Sequence, residues 1–274
     1  MKKFKIGLQL YSIYHEVEND METALRQVSE MGYDCVEFCN FHNHTAEEVK
    51  ALLDKYNLEC ISVHHSPLVI AEKGQCAVDY FKTIGAKYIA SGKWDKAKLA
   101  GISEWNNTVS LYTKVTELLK ENGIQMMYHN HDFEFCKYKG KFLLDWICEA
   151  IPGIQPEIDT CWVHYAGYNP TEYILKYSGK IKVVHLKDFI CKNLGSGPVY
   201  GKIDKADAPN RASREENGFE YRPIGYGVQD IPAIIDASEK AGAEVLIVEQ
   251  DESHERPPLE AAKMSRLYLK SLGL

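Results

Sequence analysis

The sequence predicts an α/β protein, a single (β/α)8 barrel over residues 1–274 with a long loop after its seventh strand. Three observations carry that prediction. Short apolar runs alternate with helical patterns eight times from end to end, the mark of a parallel sheet. The chain has 274 residues, and a barrel of this kind takes about 250. Imidazoles and carboxylates close four consecutive β-like runs, and a parallel barrel gathers such strand ends into one mouth.

The elements follow in order. Lys5–Leu10 reads as the first strand, and Glu18–Met31 as an amphipathic helix closed by Gly32. Cys35–Phe38 is the second strand. Thr45–Tyr56 follows as a helix in which Thr45 caps the N-terminus and Glu48 completes a capping box. Cys60–Val63 is the third strand, with a helix at Gln75–Ile84 before Gly85. Tyr88–Ala90 is the fourth, followed by a long helix at Leu99–Glu121 that Asn122-Gly123 ends. Ile124–His129 is the fifth, with a helix at Phe142–Ile151; Ile154–Asp159 is the sixth, with a helix at Pro170–Tyr177. Ile181–Lys187 is the seventh. A helix at Ile231–Ala241 precedes the eighth at Glu244–Glu249, and Leu259–Leu272 closes the chain.

One segment breaks the rhythm. Residues 189–230, rich in Gly, Pro, Lys and Asp, separate the seventh strand from its helix. Unstructured loops longer than ~15 residues are usually functional or mobile, and this one leaves from the barrel mouth. The expectation is a lid inserted into one barrel domain. Its Lys202, Lys205, Arg211 and Arg214 are the local basic group; no strong phosphate site stands out.

Composition narrows the class. The chain is 45% hydrophobic and 26% charged with a net charge of -7, ordinary for a soluble enzyme and a poor match to a nucleic-acid partner. No run approaches the ~18 apolar residues of a membrane span. Met1-Lys2-Lys3 leads straight into a strand with no apolar signal core. The eight cysteines form no Cys-x-x-Cys pair, so reduced thiols and a cytoplasmic location are expected. A homo-oligomer is neither indicated nor excluded.

The chemistry sits at Met126-Met127-Tyr128-His129-Asn130-His131, Pro156-Glu157-Ile158-Asp159, Val183-Val184-His185-Leu186-Lys187 and Leu246-Ile247-Val248-Glu249. Side chains two apart share a strand face. His129 therefore shares a face with His131, Asp159 with Glu157, His185 with Lys187, and Glu249 with Asp251. A mixed His/carboxylate shell suits one divalent ion, Mn²⁺, Co²⁺ or Zn²⁺, with Mg²⁺ less favoured by imidazoles. Such an ion stabilises an enolate, so a proton alpha to a carbonyl can leave near neutral pH. His131 is placed to take that proton, and Lys187 to donate to an oxyanion or a leaving hydroxyl.

These segments resemble the xylose isomerase-like TIM barrels. That superfamily includes sugar phosphate isomerases/epimerases, inosose dehydratases, 3-dehydroshikimate dehydratases and a distant branch of AP endonucleases. The resemblance runs from Ile6-Gly7-Leu8-Gln9-Leu10-Tyr11-Ser12 to Val248-Glu249-Gln250-Asp251. Its most distinctive block, Tyr128-His129-Asn130-His131-Asp132-Phe133-Glu134-Phe135, is similar to the sugar phosphate isomerase/epimerase subgroup. It implies that Asp159, His185 and Glu249 are metal ligands. The family's fifth-strand ligand is normally Glu; His129 stands there, and His131 and Glu134 are alternatives for the fourth ligand. The dehydratase branch places an acid/base His and Lys where His131 and Lys187 stand. By analogy Glu37, His65 and Trp162 face the sugar substrate.

The resemblance favours a metal-dependent isomerase or epimerase on a keto-sugar or sugar phosphate. A dehydratase or lyase reaction through the same enolate is the alternative, ahead of an AP endonuclease-like nuclease or a non-catalytic sugar-binding barrel. Plainer roles compete residue by residue: Asp159 could cap the following helix, and Glu249 could pair with a rim lysine. His64, His65 and His164 each read better as ordinary histidines than as ligands. Trp162, Tyr165 and Tyr168 suit either a core or a stacking wall. Gly225-Tyr226-Gly227 lacks dinucleotide-loop spacing and reads as a sharp turn where the chain re-enters the barrel.

Overall fold

The computed structural model describes residues 4–92, 102–194, 214 and 216–274. Eight parallel strands close into a barrel: β1 (Lys5–Gln9), β2 (Cys35–Phe38), β3 (Glu59–His64), β4 (Tyr88–Ser91), β5 (Gln125–His129), β6 (Gln155–Asp159), β7 (Val183–Leu186) and β8 (Val245–Val248). β1 pairs with both β2 and β8, which completes the ring. All eight expected strands are present, with ends displaced by at most two residues.

The helices follow the apolar periodicity. The expected Thr45 capping box is formed: the Thr45 side chain accepts the Glu48 amide, and Glu48 accepts the Thr45 amide. The helix expected at Glu18–Met31 is two, Tyr14–Asn19 and Met21–Met31. Asp20 divides them because its extended backbone and its side-chain acceptance of the Thr23 amide make it an N-cap. Short helices at Pro67–Lys73 and Thr160–Tyr165 were not expected. The long helix after β4 is described from Ile102 to Glu121.

Two cores result. A large one joins the outer faces of the strands to the helices. A small one plugs the barrel interior with Cys35, Ile61, Ala90, Met127, Val183, Val245 and Ile247. Gly7 belongs to this crowded layer, since a Cβ there would collide with Ile247 and Cys35. Two residues further along, Cys35 gives way to Glu37, Met127 to His129, Val183 to His185 and Ile247 to Glu249. The strand period of two thus turns an apolar plug into a polar layer at the mouth.

The segment expected as a lid lies partly outside the described residues, Lys202, Lys205 and Arg211 included. Its described ends pair as an antiparallel ribbon, Asp188–Ile190 against Glu220–Arg222. No helix among the described residues is long and apolar enough to cross a membrane. All eight cysteines are free thiols.

Candidate metal centre and active site

Register builds the mouth. β5 pairs with β6 so that His129 stands beside Glu157, and β6 with β7 so that Asp159 stands beside His185. On the far side Gln9 stands beside Glu37. Asn130 locks β5 to β6: its amide NH2 donates to the Asp159 carbonyl at 3.2 Å, and the Asp159 amide donates back at 3.0 Å.

His129, Asp159, His185 and Glu249 each bring one ligand atom within 4.8 Å of the others, all buried. Asp159 Oδ2 has the Lys187 ammonium at 3.1 Å, whereas His129 Nε2 makes no hydrogen bond, and a buried nitrogen left without a partner is costly in a folded protein. His129 Nε2 and Asp159 Oδ2 lie 3.4 Å apart. Their spacing suits a shared cation, since donors bound tetrahedrally at ~2.1 Å stand about 3.4 Å apart. The residues present therefore fit a divalent ion. Burial, with His185 and His64 alongside, holds His129 well below the usual imidazole value, in its neutral ligating form. Asp159 also caps the next helix: Oδ1 accepts the amides of Cys161 and Trp162 while Oδ2 turns to the site.

Lys187 is 1% exposed. Its ammonium lies 2.8 Å from Glu249, 2.9 Å from Asp251 and 3.1 Å from Asp159. Burial opposes the charge, but these carboxylates outweigh it and hold the amine well above the usual lysine value. Tyr221 from the ribbon donates to Asp251 at 2.8 Å, and Gln229 donates to the Lys187 carbonyl. His131 is the electrostatic opposite. Burial, the His129 ring and the Lys187 charge hold it well below the usual value, so it is a neutral base. Its ring stacks on Phe133, and its Nδ1 has no hydrogen-bond partner.

His131 and Lys187 both line a cavity of about 660 Å³ that opens over the strand ends, together with His65, Trp162, Arg214 and Tyr221. The Trp162 indole stacks on Phe219 at 5.8 Å, with the Lys187 ammonium 5.2 Å from its ring centre. Trp162 is thus wall, whereas Tyr165 is core and Tyr168 packs on Phe135 and Phe142. The ribbon is fastened beside Lys187. Asp188 accepts the amides of Phe189, Gly225, Gly227 and Gln229 at 2.9–3.1 Å. A Cβ at Gly227 would strike the Asp188 carboxylate, which explains the glycine at this re-entry turn.

The structure brings together His129, Asp159, His185, Glu249, His131 and Lys187 as expected from the sequence, and puts His65 and Trp162 on the cavity wall. Glu37, expected to face the substrate, does not line the cavity. It is 0% exposed beneath the mouth, where Gln9 and Ser62 donate to its carboxylate. Of the alternatives to His129, Glu134 points away from the metal set and accepts the Tyr128 hydroxyl and the His131 amide, each at 2.7 Å. His64, read from the sequence as an ordinary histidine, joins a second set of potential ligand atoms with His129, Glu157 and His185. One signal was available, the Glu157–Asp159 spacing of two. None marked Tyr221, which lies far off in the chain.

Comparison with known proteins agrees with this architecture. The family model described as xylose isomerase-like TIM barrel matches residues 25–272. The chain is 25% identical to an inosose dehydratase of Clostridium beijerinckii over 276 residues, which covers 92% of this chain and 90% of that one. A crystal structure of a sugar phosphate isomerase/epimerase from Parabacteroides distasonis superposes with a TM-score of 0.77 at 19% identity, covering 99% of this chain and 95% of that one. The IOLI protein with a bound zinc atom superposes at 0.70 and 14% identity, covering 98% and 97%.

Proposed function

The chain belongs to the xylose isomerase-like TIM-barrel family, and from that premise we propose that it is a divalent-metal-dependent dehydratase acting on a keto-polyol of the inosose class. The observation that carries the reading is the pairing of unlike groups over one cavity: a neutral imidazole, His131, and a buried ammonium, Lys187. Elimination of water needs a base for the α-proton and a separate acid for the departing hydroxyl. The inosose dehydratase relative, aligned over 92% of the chain, supports the substrate class.

His129, Asp159, His185 and Glu249 would hold the ion, and the zinc-bearing IOLI neighbour supports a metal in this fold. When bound, the ion supplies positive charge where a carbonyl oxygen becomes an enolate, which lowers the cost of removing the α-proton. His131 takes that proton. The C–H electron pair becomes the enolate, then the new C=C bond as the β C–O bond breaks. Lys187 passes its proton to the departing hydroxyl, releasing water and a conjugated enone. Trp162 offers an apolar face to the carbon ring. Tyr221 and Arg214, from the 189–230 segment, line the cavity, which supports reading that segment as a lid.

Isomerisation or epimerisation, favoured by the sequence alone, begins with the same proton transfer and ends in reprotonation. Metal-loaded protein incubated with an inosose in D₂O separates the two. An enone with release of water supports dehydration. Deuterium in unchanged or epimeric ketose, with no loss of water, selects the isomerase reading. Neither product across a panel of keto-polyols and keto-sugars rejects both.

A further inference from the structure

A second cavity of about 650 Å³ adjoins the one over the metal set. Cys39, Asn40, His64 and His65 line both, and all four are at least partly exposed, so the divide is an open saddle. His64 brings the saddle up to the candidate ligands. Its ring lies 4.9 Å from the His129 ring and 5.5 Å from that of His185. Cavities of roughly 300–1,000 Å³ each enclose a drug-sized ligand. The first cavity alone therefore has room for the reacting ring, and the second is space that a single inosose leaves unused.

The wall of this side cavity is braced by its own hydrogen bonds. The loop after β2 lies against the helix Gln75–Ile84. The Tyr80 hydroxyl donates to the His44 carbonyl at 2.8 Å, and the His44 amide donates to the Phe41 carbonyl at 2.9 Å. With its hydroxyl engaged, Tyr80 presents a ring, whose centre lies 4.5 Å from that of Phe41. His42 and Asn43 line the same cavity from left-handed backbone, at φ 47° and 65°, though neither is glycine. Strain of this kind gathers at ligand sites.

Hydrogen bonds also fix what two of the histidines offer. His65 Nδ1 accepts the Ser66 amide at 3.0 Å, so Nε2 carries the N–H of a neutral ring. His44 Nδ1 lies 3.0 Å from the Phe41 carbonyl, which can only accept, so in the neutral ring Nε2 keeps the lone pair. A donor, an acceptor and an aromatic wall suit a hydroxylated ring, whose hydroxyls both donate and accept. A phosphate would find a single lysine, the exposed Lys73. We infer that the side cavity is a subsite for a second sugar ring, so that the substrate is a glycosylated keto-polyol rather than a free one. The inference rests on the proposed reaction at the metal set, where the keto ring sits.

Inositols lack the carbonyl and cannot react, so they report binding apart from turnover. Metal-loaded protein is titrated calorimetrically with myo-inositol and with each of its mono-O-glucosides. At least one glucoside should bind about ten-fold or more tighter than the parent. His44→Phe keeps a ring and removes the acceptor; Cys76→Trp fills the cavity from an exposed position. Each should bring the affinity ratio close to one, and if either fails to fold the other decides. Equal affinity in wild type, or a ratio that both variants leave intact, overturns the subsite. So does a preference for inositol monophosphate that Lys73→Met abolishes. Enone formation from an inosose, measured separately, tests the proposed function. Product without glucoside preference removes the subsite alone, and glucoside preference without product removes the reaction alone.

Discussion

The two ends of the barrel use the same charged groups in opposite ways. At the N-terminal ends of the strands, Lys5 meets Glu59 at 2.5 Å and Lys182 meets Glu244 at 2.8 Å, with side chains 33–51% exposed. At the C-terminal ends, Lys187 meets Glu249 at 2.8 Å with side chains 2% and 8% exposed. Distance does not separate the two kinds of pair; water does. An exposed pair contributes ~0–1 kcal/mol. Breaking a buried one by removing a single partner costs about 3–5 kcal/mol, because the other charge is stranded. The lower rim spends charge on a wet surface, and the mouth keeps charge dry where chemistry needs it.

The sharpest break in this contrast is Asp159→Asn. It removes a candidate ligand atom, so turnover should be lost and the metal bound by His129, Asp159, His185 and Glu249 should fall away in elemental analysis. Lys187→Met comes next. Turnover should fall by about 10²–10⁴, and the metal-free protein should lose about 3–5 kcal/mol in urea unfolding. Metal should recover much of that stability, since an ion replaces the missing positive charge. An unchanged kcat would remove Lys187 from the acid role.

Glu134 tests a buried carboxyl away from the ligands. Burial raises it from 4.5 to about 8, against the hydrogen bonds from Tyr128 and the His131 amide. Between those values the folded chain holds a proton that the unfolded chain has lost. Its contribution is complete below about pH 4.5 and declines as pH rises to about 8, by up to ~1.4 kcal/mol per pH unit. Glu134→Gln should flatten that slope in unfolding curves taken from pH 5 to 8; a slope that persists assigns it elsewhere. The smallest effect belongs to the lower rim. Glu59→Gln should cost less than about 1 kcal/mol and vanish in high salt, and a larger loss would erase the contrast.

Much of this was legible in the chain. Strand count and the Thr45 capping box followed from apolar period and cap chemistry, and the gathering of four candidate ligands at the strand ends followed from the period of two. Depth did not follow. Glu37 and Glu249 both close apolar runs, yet one lies beneath the mouth and the other faces the cavity, because residues far off in sequence set how deep a strand end lies. His64 fell outside the expected third strand, which runs one residue further. Tyr221 reaches Lys187 through Asp251 only because the ribbon folds back across the mouth. No local pattern encodes that return.

The Asp188 carboxylate gives the chain a modular character. By gripping amides on both sides of the long segment, it fixes where that segment leaves and where it rejoins. Both footings sit beside Lys187 on the same carboxylate. Loop exchange between relatives is therefore a natural route to new substrate preference, in evolution or in the laboratory, with His131, Lys187 and their spacing inherited intact.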